Sequence, residues 1–567
     1  MSNPKLALIP SGYKSGKVYS ILPNDATGDF DFTRQSIGTR VRKDGLIEEA
    51  KTVGSITNLQ PRSEEFDNSV WTRSRTSISA NQELAPDGTN TADKFIGTGT
   101  GASYIYDGLP FTSGKRYTIS IFVKPINVTT FVINKFSGGT GNGSFNLSTG
   151  TIDSVSGTMS NPIIESLSNG WFRCSVEHIP TSTGTQNYGF GLQTYSGDQY
   201  YIWGAMVSEG ALSDYIKTEG SSETKTVETF TDVPRLDWLN SNCPSLLLEP
   251  QRTNAFTYSE QFEQSAWFKS NSTITTNQII APNGTLTADL LTSTANGGGV
   301  YKFGAWDTTQ KTASIFVKKN TSSTVEIFNG SSPTNRVVLN LDSGTITTQG
   351  GTMTGTIEDF GNGWYRLSAT HTSTASQTFA IKPETNESVY IWGAQIEDAS
   401  YSSSYIKTEA STVTRLKDEC TNGGDSDLFN VSEGTFFVDT TPFTREATER
   451  ITLSNNNYNN RILISKSSST ELQYIIVSNN VTSLSITTDI NYNERNKIAI
   501  TFQQNKFKIY LNGLLKYTDT SGNIPTGLND FSFKGIGNAL YWSGKIHDAR
   551  IYDRGLTEAE AIQLTTL

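Results

Sequence analysis

Three cysteines in 567 residues, Cys174, Cys243 and Cys420, are too few and too far apart to build a disulfide framework. Nowhere do about 18 apolar residues follow one another, so the sequence predicts no bilayer-spanning helix and no membrane insertion. The opening MSNPKLALIPSGYKSGK has an apolar stretch shorter than a signal-peptide core, and it predicts no secretory signal. With 45 basic against 55 acidic residues the net charge is −10. No surplus of cations is left to neutralise a phosphate backbone, which excludes nucleic acid as the main partner. Hydrophobic residues (35%) and charged residues (18%) are both scarce, and Ser, Thr, Asn and 49 glycines take their place. Such a polar, turn-rich composition favours strands over helices.

What is present is repetition. WTRSRTSISANQELAPDGTNTAD from Trp71 lies without a gap on WFKSNSTITTNQIIAPNGTLTAD from Trp267, and SIFVK, NGW, YIWGA and YIKTE each recur in the same order. Short β-branched and aromatic runs bounded by Gly, Asn, Ser and Asp predict a β-sandwich of about eight to ten strands for each copy. The APDG and APNG segments suit tight turns between two strands. Near the C-terminus, IAITFQQNKFKIYLNG alternates as an amphipathic hairpin, with Ile498, Ile500 and Phe502 facing Phe507, Ile509 and Leu511 across a turn. Thr557 and Glu560 have the spacing of a helix capping box. The fold class predicted is all-β: tandem jelly-roll sandwiches at 59–220 and 253–410, packed linkers at 221–252 and 411–433, a third sandwich at 434–567, and an extended N-terminal arm at 1–58. That arm is locally basic, with seven basic against four acidic residues up to Gly45.

GTFFVD, KFKIYLNG and the closing GKIHDARIYDRGLTEAE resemble the laminin-G-like members of the concanavalin A-like lectin/glucanase superfamily. NPKLALIPSGYKSGKVYSILP, GDFDFTRQSIGTRVRKDGLIEEA and VPRLDW with CPSLLLEPQRTN resemble the openings of tailed-bacteriophage virion proteins. In that pattern GLIEE runs closely into VPRLD, and here the first repeat is inserted between Ala50 and Val233. The repeats resemble the carbohydrate-binding jelly rolls of the same proteins. These resemblances imply a virion surface component, a fibre, spike or decoration subunit. Its arm would dock on other virion proteins, its sandwiches would bind host-surface glycans, and it would form a homo-oligomer, with a trimer the first guess.

Catalytic signatures are missing. The clustered acidic strand motif of the related glucanases is absent, and the adjacent acids Glu48–Glu49 and Glu397–Asp398 read as solvated charge, since strand neighbours point to opposite faces. No nucleophile elbow or zinc motif occurs. The expectation is a non-enzyme; a polysaccharide depolymerase and a purely structural cement or adaptor are the alternatives. His178 and His371, equivalent in the two copies, read as structural. Trp71, Trp171 and Trp203 pair with Trp267, Trp364 and Trp392, which points to core packing. The unpaired Trp306, Trp542 and Trp238 are the candidate glycan platforms. Asp87 and Asp93, with Asn283 and Asp289, are candidate oxygen ligands for a structural Ca²⁺.

Overall fold

Frequent polar turns leave little room for helices, and the chain forms only two short α-helices among the described residues, Ser426–Phe429 and Glu558–Thr565. The computed structural model describes residues 3–137, 139–192, 196–210, 212–329, 334–373, 376–429, 432–537 and 540–567. Two compact units result: residues 53–228, and residues 1–52 together with 229–567.

The unit 53–228 is a sandwich of two six-stranded antiparallel sheets. One runs Met159–Ser166, Phe172–His178, Tyr117–Pro125, Gln199–Glu209, Ala92–Gly97, Thr76–Glu83, and the other runs Thr151–Gly157, Gly141–Asn146, Thr130–Lys135, Gly184–Leu192, Ser103–Phe111, Thr72–Ser74. The second copy repeats this order, from Thr354–Gly361 to Ser272–Ile280 in one sheet and from Thr345–Gln349 to Phe268–Ser270 in the other. Each copy thus has more strands than its turn spacing suggested. The additional ones are edge strands as short as Thr72–Ser74, whose exposed polar residues carry no apolar alternation.

The repeated residues explain why both copies fold alike. All six paired tryptophans are buried. Each indole N–H also has a matching acceptor: Arg62 O and Tyr258 O for Trp71 and Trp267, Leu84 O and Ile280 O for Trp171 and Trp364, Thr91 Oγ1 and Thr287 Oγ1 for Trp203 and Trp392. Equivalent asparagines close each sandwich at its neck. Asn58 donates to Ala205 O and Ile216 O and accepts from Gln60 N and Val207 N, while Asn254 donates to Ala394 O and Ile406 O and accepts from Phe256 N and Ile396 N. A buried amide with all these bonds made is costly to truncate, because its four partners lose theirs together.

The incoming and outgoing strands of the first copy, Thr52–Asn58 and Glu223–Thr229, pair with each other, and Thr57 Oγ1 meets Thr224 Oγ1 at 2.7 Å. The whole copy therefore hangs on a two-stranded ribbon. Replacing residues 59–222 by an Asn-Gly turn should convert that ribbon into a hairpin. The shortened chain is expected to stay soluble, with the thermal unfolding transition of the remaining unit unchanged within a few degrees by calorimetry.

The terminal sandwich recruits strands from distant sequence. Its larger sheet runs Arg235–Asp237, Ser245–Leu248, Gly544–Tyr552, Glu433–Pro442, Asn496–Gln503, Lys506–Leu511, Leu514–Asp519, and Leu6–Leu8 also pairs with Gly544–Tyr552, Leu6 opposite Ile551. The facing sheet has five strands, from Val481–Asp489 to Asp530–Ser532. The hairpin read from IAITFQQNKFKIYLNG is present, with its apolar faces inside, and Thr557 and Glu560 form the capping box.

The N-terminal segment departs from expectation. It is folded rather than extended: Tyr13–Lys14, Lys17–Val18 and Phe30–Thr33 form a sheet with Glu419–Thr421. Leu6, Leu8, Val18, Phe30 and Phe32 are fully buried in the same core as Phe436, Ile464 and Phe531. The reason is alternation: Leu6 and Leu8, and Phe30 and Phe32, each put two apolar side chains on one strand face, which must be covered.

Candidate functional site

The segments that join the domains meet in a buried ionic cluster. Arg34, from the N-terminal segment, donates to Asp418 Oδ1 at 2.9 Å, and Arg235 bonds Glu249 Oε2 at 2.6 Å and also Asp418 Oδ2. Arg415 lies 3.4 Å from Glu249, and Glu249 N donates to Asp418 Oδ2 at 2.8 Å. None of these five side chains is more than 3% exposed. Burial pushes the Glu249 carboxyl up, but Arg415, Arg235 and Ser404 outweigh it and hold its pKa well below the usual carboxylate range. Burial lowers the Arg34 guanidinium to about 10.

This cluster fixes the hairpin of Thr39–Val41 and Ile47–Glu49 against the second repeat. Thr39 Oγ1 donates to Tyr405 O at 2.6 Å, and Ile47 N donates to Pro282 O at 2.9 Å. Val41 and Ile47 complete an aromatic cluster with Phe316, Trp364, Trp392 and Tyr405 on the outer face of that repeat. Between hairpin, repeat and terminal sandwich lies a cavity of about 600 Å³, within the range of small-molecule sites, about 300–1,000 Å³. Its walls carry aromatic rings, with Phe316 against Phe360 at 4.9 Å and Tyr401 against Phe443 at 5.4 Å, and many hydroxyls.

Three carboxylates face this cavity, and two are already engaged. Asp237 accepts from Val41 N (2.9 Å) and Lys545 Nζ (2.8 Å), and Glu249 is held in the ionic cluster. The carboxylate of Glu358, opposite Arg366 on the neighbouring strand, accepts no hydrogen bond among the described residues, and the side chain keeps 37% of its surface accessible. The surrounding walls still raise its pKa through desolvation, against the opposing charges of Arg366 and Lys545. His547 bonds Thr441 Oγ1 at 2.9 Å, and burial drives its pKa down to about 4, so the ring is neutral at neutral pH. Sequence reasoning did not single out Glu358. The signal was the recurrence of Arg173 and Arg366 after NGW, since each faces a glutamate, Glu165 or Glu358, across the strand pair.

A shallower recess of about 160 Å³ shares Val41, Leu239, Asn240 and Phe360 with the cavity and is bounded by Trp238, Lys43 and Asp359. Trp238 is half-buried, with Lys43 Nζ 5.5 Å from its ring centroid. The other two candidate platforms are corrected. Trp306 is fully buried, packed against His371 and Phe379, and Trp542 is 1% exposed inside the terminal core. Trp306 is the last residue of the strand Gly299–Trp306, and its side chain packs in the core of the second repeat.

The oxygens read as Ca²⁺ ligands serve the protein itself. Asp87 and Asn283 each cap a turn by accepting from the N–H and hydroxyl of Thr89 or Thr285. Asp93 accepts from Phe66 N and Asn81 N, and Asp289 from Phe262 N and Asn277 N. Among the described residues no group of three or more His, Cys, Asp or Glu could hold a metal ion. Glu397, expected as solvated charge, is 1% exposed and accepts from Ser403 N at 2.9 Å.

Residues 425–562 match the Laminin_G_3 family, of the concanavalin A-like lectin/glucanases superfamily. No curated protein matches the chain. Among solved structures, similarity extends to the tandem CBM22-1–CBM22-2 domain of Paenibacillus barcinonensis Xyn10C (10% identity, 60% of this chain and 97% of that one, TM-score 0.26). It also extends to the CBM40 of Ruminococcus gnavus IT-sialidase bound to α2,3-sialyllactose (14%, 24% and 84%, TM-score 0.22) and to domain 4 of the Geobacillus stearothermophilus arabinanase AbnA with arabinotriose (14%, 29% and 82%, TM-score 0.23).

Proposed function

We propose that this chain is a non-catalytic structural protein of a tailed-bacteriophage particle, exposed on the virion surface, whose sandwiches hold host-surface glycans. The glycan reading is carried by Trp238. Of the three tryptophans without a repeat partner it alone keeps an accessible ring, at a recess rimmed by Lys43, Asn240 and Asp359 and continuous with a hydroxyl-rich cavity. Sugars present apolar C–H faces to such rings and hydroxyls to such rims. The lectin-superfamily match of residues 425–562 supports the same reading. Binding is favoured over cleavage because glycoside hydrolysis needs two available carboxyl groups, and of the three facing the cavity only Glu358 is free of strong hydrogen bonds. The virion assignment rests on the resemblance of residues 1–50 and 233–254. With the N-terminal segment buried in the terminal core, attachment to other virion proteins runs through the folded body.

The full-length protein is expected to bind saturably to a glycan array and to intact host envelopes without releasing reducing ends. Trp238→Ala should weaken that binding at least tenfold, about 1.4 kcal/mol. Release of reducing sugar would make the protein a depolymerase. Absence of the chain from purified particles by mass spectrometry would remove the virion assignment.

A further inference from the structure

The cavity behind Trp238 has an asymmetry of free charge. Among the described residues, each guanidinium or ammonium on its wall is held by hydrogen bonds. Arg495 makes two bonds to Asp439 (2.8 and 2.6 Å), Arg40 makes two to Glu48 Oε1 (3.0 and 2.9 Å), and Lys545 is held by Asp237. Arg366 donates to Ser403 O at 2.7 Å and to Ser314 Oγ at 2.9 and 3.3 Å. The free ionisable group is an acceptor, the Glu358 carboxylate, whose ion pair to Arg366 is 3.9 Å long. A ligand entering here must therefore bring donors to Glu358. Among the described residues lining the cavity it finds no guanidinium or ammonium without a hydrogen-bond partner, Lys43 lying over Trp238 at the adjoining recess, and an anion would lie beside a like charge in a partly desolvated space.

We infer that the cavity selects saccharides that donate hydrogen bonds to Glu358 and carry no acidic group, so that neutral and amino sugars enter and uronic and sialic acids are rejected. This rests on the glycan reading above and names the ligand class of the same site. The aromatic pairs Phe316–Phe360 and Tyr401–Phe443 supply apolar walls for the ring faces, and Glu358 supplies the specificity, because a partly desolvated acceptor left without a donor is penalised.

The test uses the full-length chain on an array carrying neutral, amino and acidic glycans, followed by titration calorimetry with the best neutral or amino binder and with trigalacturonate. Wild type should bind the former and show at least tenfold weaker binding of the acid. Glu358→Gln should weaken the preferred ligand about tenfold with an unchanged thermal midpoint. Thr356→Arg, which places a free cation on the same wall, should gain affinity for the acid. Comparable binding of trigalacturonate by wild type, or indifference of the preferred ligand to Glu358→Gln, would overturn the inference while leaving the glycan reading in place. Binding of no saccharide of any class would overturn both.

Discussion

Asp418→Ala is expected to cost the unit formed by residues 1–52 and 229–567 about 3–5 kcal/mol, the range for breaking one side of a buried ion pair. Asp418 accepts from both Arg34 and Arg235 through its two oxygens and from the main chain of Glu249. Without it, Arg34 loses its one ion-pair partner among the described residues, and Arg235 and Arg415 are left to share the carboxylate of Glu249. Arg415 is affected less directly: its guanidinium makes no hydrogen bond among the described residues, and it lies 3.4 Å from Glu249 and 3.9 Å from Asp418. Denaturant unfolding should show the midpoint of this unit falling, with the transition of residues 53–228 unmoved. Acid should act on the same cluster. Glu249 has its folded pKa depressed, so the stability it contributes is present above its unfolded pKa, near 4.5, and is lost as pH falls below that value toward its folded one. An Asp418→Ala protein as stable as wild type would show that the cluster fixes geometry without holding the unit together.

Deletion of residues 1–33 should be more damaging still. It removes five fully buried apolar side chains, Leu6, Leu8, Val18, Phe30 and Phe32, each worth about 1.5–3 kcal/mol, and strips a strand from Gly544–Tyr552. The total, about 10 kcal/mol, is comparable with the whole stability of a typical domain, about 5–15 kcal/mol. The truncated chain is expected to be insoluble or to bind a hydrophobic dye strongly at room temperature. A soluble, cooperatively folding product would restore the picture of a detachable arm.

Much of the architecture was legible because it is written locally and twice. The matching blocks around Trp71 and Trp267, and the paired tryptophans, carried both the all-β sandwich and the core role of those rings. The hairpin from Asn496 to Leu511 and the capping box at Thr557 were read from spacing within a few residues. What sequence could not supply was the meeting of remote positions. Arg34 and Asp418 are 384 residues apart, and nothing in either neighbourhood marks them as partners. The same limit misled the reading of Trp306: in GGGVYKFGAW its glycine-rich surroundings suggested exposure, yet a register shift after Lys302 and the approach of His371 and Phe379 leave it buried. Glu358 was overlooked because a glutamate on an edge strand is ordinary until the hairpin and the terminal sandwich come to lie beside it.

The two-stranded ribbon that carries residues 53–228 also bears on how such a protein can change over generations. A module whose ends leave side by side can be copied into a surface turn, or lost from it, without requiring any neighbour to repack. The matching Asn58 and Asn254 locks show the same neck in both copies. A lineage built this way could change how many sandwiches it carries while the cavity beside Trp238, built wholly outside residues 53–228, keeps its chemistry.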